Sequence, residues 1–144
     1  MGTSKFKFLE HVSDIYVAAY GKTLEEAFEN AALAMFQSMT DVKLVEPKIK
    51  VEVYVEGEDE KALLYNWLEN LLIRFGSEGM LFSKFKIYEI SSFPGGFRLK
   101  GEAWGEQFNP EKHPSKVEVK AVTYHSMEIG KEDDLIVVKV LFDI

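Results

Sequence analysis

The sequence predicts an α+β domain of two layers, a mixed or mainly antiparallel sheet of about seven strands with two long amphipathic helices on one side. Three observations predict it. Apolar and polar residues alternate along the strand-like segments, so the sheet buries one face and wets the other. Two longer segments carry apolar residues at helical spacing on one face only. No linker, repeat or low-complexity stretch divides the 144 residues, so 1–144 reads as a single domain of ordinary size.

Lys5 to Glu10 and Asp14 to Tyr20 read as two strands, joined by a short connection holding His11 and Ser13 and ended by Gly21-Lys22. Thr23 opens the first helix. With Glu26 it forms a capping box, in which each side chain serves the other residue's orphan backbone N–H. Leu24, Ala27, Phe28, Ala31, Met35 and Phe36 make its apolar face, and the helix is expected to end near Met39. Ile49, Val51, Val53 and Val55 alternate with Lys50, Glu52, Tyr54 and Glu56, the pattern of a half-buried strand.

Glu58-Asp59-Glu60 then place negative charge at the positive end of a second helix. Its buried stripe is Leu63, Leu64, Trp67, Leu68, Leu71, Leu72 and Phe75, with Gly76 as the expected C-cap. Four strands follow, at about 81–91, 97–106, 117–127 and 135–143, with Gly95-Gly96 as a hairpin turn between the first two. Pro47, Pro94, Pro110 and Pro114 all fall between periodic segments.

Composition narrows the function. The hydrophobic share of 47% supports a core without staples, and the absence of cysteine excludes disulfides, cysteine-ligated zinc and a thiol nucleophile. Lack of cysteine also fits a reducing cytoplasm, the expected location. The N-terminus lacks a signal-peptide stretch, and no apolar run approaches the roughly 18–20 residues of a membrane span. A net charge of −7, with lysines alternating with glutamates, disfavours direct tight binding of nucleic acid. It suits a divalent cation or a basic protein partner. There is no Gly-rich phosphate loop, H-E-x-x-H or G-x-S-x-G, so the chain is expected not to be an enzyme.

Three clusters hold the candidate functional groups: Glu10 to Asp14, Val119 to His125, and Phe142-Asp143-Ile144. At the last of these, an apolar strand ends on the Asp143 carboxylate beside the main-chain carboxylate of Ile144. Two hard oxygen donors one residue apart suit Ca²⁺, Mg²⁺ or Mn²⁺ rather than thiol-seeking metals. Asp14 starts an early strand and Asp143 ends the last one. Antiparallel pairing of those strands would bring the carboxylates together, and the repulsion between them would favour a bound cation. Each group also has a plain structural reading. Taken singly, Asp143 reads as a solvated strand end, Asp14 as a turn cap, and His11 as a hydrogen-bonded turn histidine. Lys120 and His125 read as the polar lining of a strand. Their parities differ, so they should face opposite sides unless a bulge intervenes.

Taken in order along the chain, the motifs resemble the archease family. They are His11-Val-Ser-Asp14-Ile15, Leu24-Glu-Glu-Ala-Phe28, Leu63-Leu-Tyr-Asn-Trp-Leu68, Val119-Lys-Ala-Val-Thr-Tyr-His125 and the closing Asp143-Ile144. One local departure is Val12-Ser13, where the family often has Thr-Ala. The resemblance implies a non-catalytic protein cofactor of the RtcB-type tRNA-splicing ligase, promoting its metal-dependent guanylylation and turnover. It implies a divalent metal, Ca²⁺ first with Mn²⁺ or Mg²⁺ as alternatives, held by Asp14, Asp143 and the Ile144 carboxylate. Lys120 would be a functional basic residue nearby, and His11 and His125 stand in the same motifs. Archease-like proteins are also linked to RNA methyltransferases. The second expectation is therefore a chaperone or modulator of a tRNA methyltransferase without metal chemistry, docking through Trp104, Tyr54 and Tyr88. A small metal-dependent hydrolase is the third.

Overall fold

The computed structural model describes residues 4–11 and 13–144; Val12, in the His-x-x-Asp motif, and the first three residues lie outside the described residues. The elements run β1 (Phe6–Leu9), β2 (Ile15–Gly21), α1 (Leu24–Met39), β3 (Ile49–Gly57), α2 (Glu60–Glu78), β4 (Met80–Phe93), β5 (Gly96–Gln107), β6 (Ala121–Glu132) and β7 (Leu135–Asp143). The α+β class and the seven strands match the expectation. The single sheet does not, because the strands divide into two antiparallel sheets, ordered β1-β2-β7-β6 and β3-β5-β4. The alternating pattern dictates only that each strand buries one face; which strands share a ladder depends on packing of the helices between them.

Both helices begin where their caps direct. Thr23 Oγ1 accepts from the Glu26 N–H at 3.1 Å, and Glu26 Oε1 accepts from the Lys22 N–H at 2.7 Å, the reciprocal bonds of a capping box. Asp59 Oδ1 accepts from the Ala62 N–H at 2.8 Å and caps α2. The end of α2 falls later than the sequence implied. Gly76 sits inside the helix, and the left-handed cap is Gly79 at φ +70°, whose N–H donates to the carbonyls of Arg74 and Phe75. An exposed Gly within a helix costs less than leaving the last carbonyls unpaired, so the helix runs through Gly76 to the residue that can close it.

One core joins the two sheets and both helices. Phe28, Met35 and Phe36 of α1, Leu64, Trp67 and Leu68 of α2, Phe82 of β4 and Phe142 of β7 are all fully buried in it. Burying each such side chain contributes about 1.5–3 kcal/mol. The Trp67 indole N–H donates to the Phe28 carbonyl at 3.0 Å, so the polar edge of the largest core residue is satisfied and locks α2 to α1. On the other face of the four-stranded sheet, Ala18, Tyr20 and Val137 form a second, smaller apolar cluster. Of the aromatic residues expected to dock a partner, Trp104 already carries Lys84 Nζ at 4.6 Å from its ring centre. Tyr54 and Tyr88 are exposed, and the Tyr54 hydroxyl donates to Glu56.

Candidate functional site

Three strand ends meet at one edge of the four-stranded sheet. The last pair of the β2–β7 ladder is Ile15 with Phe142, so Asp14 and Asp143 stand together one residue beyond it. On the other side of β7, Ala121 pairs with Asp143, and the Lys120 N–H donates to the Asp143 carbonyl at 2.8 Å. Lys120 and Ile144 therefore lie side by side at the next position. Hydrophobic alternation holds this register. Val17 and Ala19 of β2 share the main core with Val138, Val140 and Phe142 of β7, and a slip of one residue would turn every one of them toward water.

The side chains diverge more than the backbone does. Asp14 Oδ2 lies 3.6 Å from His11 Nδ1, and the His11 ring centre lies 5.9 Å from that of Tyr16. Asp14 lines a cavity of about 350 Å³ with Phe8, Tyr16, Gln37 and Lys116. Lys120 instead lines a separate groove of about 440 Å³ with Glu69 and Ile73 of α2. Asp143 and Ile144 are exposed.

A bulge does intervene between Lys120 and His125. Thr123 pairs with Leu141 and Glu128 with Lys139, so Tyr124, His125, Ser126 and Met127 stand against Val140 alone. His125 is thus carried out on an exposed excursion of the strand, and simple parity does not extend through it. Ser126 takes the left-handed conformation at φ +58°, which is strained for a residue other than Gly. Sequence reasoning missed the residue that holds it. The Tyr16 hydroxyl donates to the Ser126 carbonyl at 2.7 Å, and burial, then the charge of Glu128, pushes the Tyr16 phenol above its ordinary pKa. No glycine marks the bulge, so the sequence carried no turn signal there.

As a donor set, the strand ends fit a hard cation. Two aspartates from neighbouring strands and the Ile144 main-chain carboxylate are all oxygen donors, the chemistry Ca²⁺, Mg²⁺ and Mn²⁺ prefer. Among the described residues no three His, Cys, Asp or Glu side chains converge on one point.

The segment between β5 and β6 that delivers Lys120 is pinned along its length. Buried His113 accepts the Asn109 N–H on Nδ1 at 2.9 Å, so its proton sits on Nε2, 2.9 Å from Glu106 Oε2. Glu106 also receives the Glu46 N–H at 2.9 Å and Lys112 Nζ at 2.8 Å. Burial pushes the Glu106 carboxyl up, but the hydrogen bonds from Lys112, the Glu46 backbone and His113 outweigh it and hold its pKa at about 2. Farther along, the N–H groups of Lys116 and Val117 donate to the carbonyls of Met39 and Ser38 at the end of α1. His113 is therefore a structural latch.

Comparison with known proteins agrees with this architecture. Residues 6–144 match the model of the Archease protein family. Protein archease of Sulfolobus acidocaldarius is 46% identical over 98% of this chain and 99% of its own length. Protein archease of Thermococcus kodakarensis is 52% identical over 90% of this chain and 91% of its own length. The solution structure of Methanobacterium thermoautotrophicum protein 1598 superposes with a TM-score of 0.85 at 47% identity, covering 97% of this chain and 99% of that one. A crystal structure of an archease from Thermotoga maritima shares the fold at a TM-score of 0.59 and 19% identity. The chain belongs to the archease family.

Proposed function

We propose that this archease is a non-catalytic activator of an RtcB-type tRNA-splicing RNA ligase, acting in the cytoplasm through a divalent-metal site at the joined ends of β2, β7 and β6. The observation that carries the proposal is the antiparallel register that leaves Asp14 and Asp143 adjacent, one residue past the Ile15–Phe142 pair. Carboxylates on two adjoining residues can share one cation, which offsets their mutual repulsion.

In this scheme Asp14 and Asp143 present hard oxygens, and the Ile144 carboxylate completes the set. A divalent ion bound there would supply Lewis-acid polarisation of a phosphate during guanylylation of the ligase. The Lys120 backbone fixes the Asp143 carbonyl at 2.8 Å, and its side chain, in the α2 groove, is free to meet a phosphate or a partner carboxylate. His11, 3.6 Å from Asp14, orients that carboxylate at the edge of the site. The exposed ends of the strands make the site a tip able to enter another protein's cleft.

Ligase turnover measured under multiple-turnover conditions tests the proposal. Wild-type protein should accelerate joining of RNA ends, while Asp14→Ala and Asp143→Ala should abolish stimulation without loss of the fold. Titration calorimetry with Ca²⁺ and Mn²⁺ should show one site in the wild type and none in either variant. Full stimulation by both variants would end the metal-site account.

A further inference from the structure

We infer that the surface between α2 and β6 docks an arginine side chain of a basic protein partner on the exposed ring of Tyr124. Tyr65 of α2 and Tyr124 of β6 stack nearly parallel, with ring centres 4.4 Å apart and planes 5° apart. Tyr124 is nonetheless 52% exposed, so one face of its ring rests on Tyr65 and the other is open. The β6 bulge begins at this residue.

The electrostatics around the pair call for a cation. Burial, then the charges of Asp59, Glu58 and Glu69, pushes the Tyr124 phenol up, and a hydrogen bond with Glu69 does the same for Tyr65. Elsewhere the chain supplies its own cations to its aromatic rings. Lys84 covers Trp104 at 4.6 Å, Arg98 covers Phe93 at 4.8 Å, and Lys7 approaches Tyr20 at 5.9 Å. Among the described residues no lysine or arginine stands over Tyr65 or Tyr124, and Glu58, Asp59 and Glu69 enter no ion pair. An open π face beside carboxylates that no lysine or arginine of this chain pairs attracts a positive group. Arginine fits better than lysine, because a planar guanidinium stacks on a ring while its N–H fork reaches a carboxylate.

Position ties this surface to the strand ends. Glu69, beside the tyrosines, also lines the groove of about 440 Å³ that runs past exposed Ile73 to Lys120 and Ala121. A partner seated on Tyr124 therefore abuts the residues next to Asp143. Proteins that act on nucleic acid display arginine-rich surfaces, and a chain of net charge −7 complements them. The inference rests on the ligase reading only for the partner's identity; the docking chemistry stands on the tyrosine pair.

Fluorescence anisotropy with labelled hexa-arginine and hexa-lysine peptides tests it, alongside binding of the ligase itself. The arginine peptide should bind the wild type more tightly than the lysine peptide. Tyr124→Leu should weaken it about three- to tenfold, Tyr124→Phe should retain affinity, and Glu69→Gln should weaken it more than the charge-matched Glu111→Gln. Unchanged affinity in Tyr124→Leu, or equal binding of the two peptides, overturns the inference. If the peptide pattern holds but the wild type neither binds nor stimulates the ligase, the ligase reading fails and the docking site stands. If stimulation is normal and Tyr124→Leu matches the wild type in both assays, the docking site fails alone.

Discussion

The Tyr16 hydroxyl on β2 passes across β7 to the Ser126 carbonyl on β6, closing a 2.7 Å hydrogen bond between residues 110 positions apart. One bond thereby ties together the three strands whose ends carry Asp14, Asp143 with Ile144, and Lys120. It also holds Ser126 in a backbone conformation that its side chain disfavours.

Tyr16→Phe deletes that bond and keeps the ring. Stability should fall by about 1 kcal/mol, the usual net worth of one hydrogen bond. Amide exchange at residues 124–127 should quicken while the core strands stay protected. Exchange at 124–127 equal to wild type would show that the bulge is held by packing instead.

Extending the chain past Ile144 removes its free carboxylate and leaves Asp143 in place. A short C-terminal tag should weaken Ca²⁺ or Mn²⁺ binding more than the same tag at the N-terminus, read by calorimetry. Equal affinities would remove the main-chain carboxylate from the donor set.

Acid should release the latch around Glu106. Its folded-state pKa of about 2 lies below the unfolded glutamate value of about 4.3, so the unfolded chain binds more protons across that interval. The stability it contributes is complete above about pH 4.5 and is lost as pH falls through about 2. Glu106→Gln should therefore cost about 2–3 kcal/mol in urea unfolding at pH 7. The gap to wild type should narrow steadily toward pH 2.5, and a constant gap would place the effect in packing.

The two glycines at the end of α2 should respond oppositely to alanine. Gly76 lies in the exposed helix with open space where a Cβ would go, so Gly76→Ala should stabilise by about 0.5–1 kcal/mol. Gly79, at φ +70°, holds the left-handed cap, and Gly79→Ala should destabilise by about 1 kcal/mol. Thermal unfolding midpoints moving in the same direction would contradict this assignment of the C-cap.

Local chemistry made much of the architecture legible. The capping box at Thr23, the stripe from Leu63 to Phe75 and the alternation from Ile49 to Glu56 each depend on residues within a few positions of one another. The strand ending at Asp143 was readable for the same reason. The Gly76 error shows the limit of local reading, since two candidate caps three residues apart differ only in which closes the last turn.

Sequence alone thus set the α+β class, both helices, the strand count and the residues worth watching, because periodicity and capping are short-range properties of a chain. Folding in three dimensions decided the rest. It split the strands into two sheets, seated β7 between β2 and β6 so that Asp14 stands beside Asp143, and set Lys120 on the wall of the α2 groove. It also built the Tyr16–Ser126 tie and the Tyr65–Tyr124 stack. These relations join residues dozens of positions apart, and they follow from which apolar faces best bury one another rather than from any pattern within a single segment.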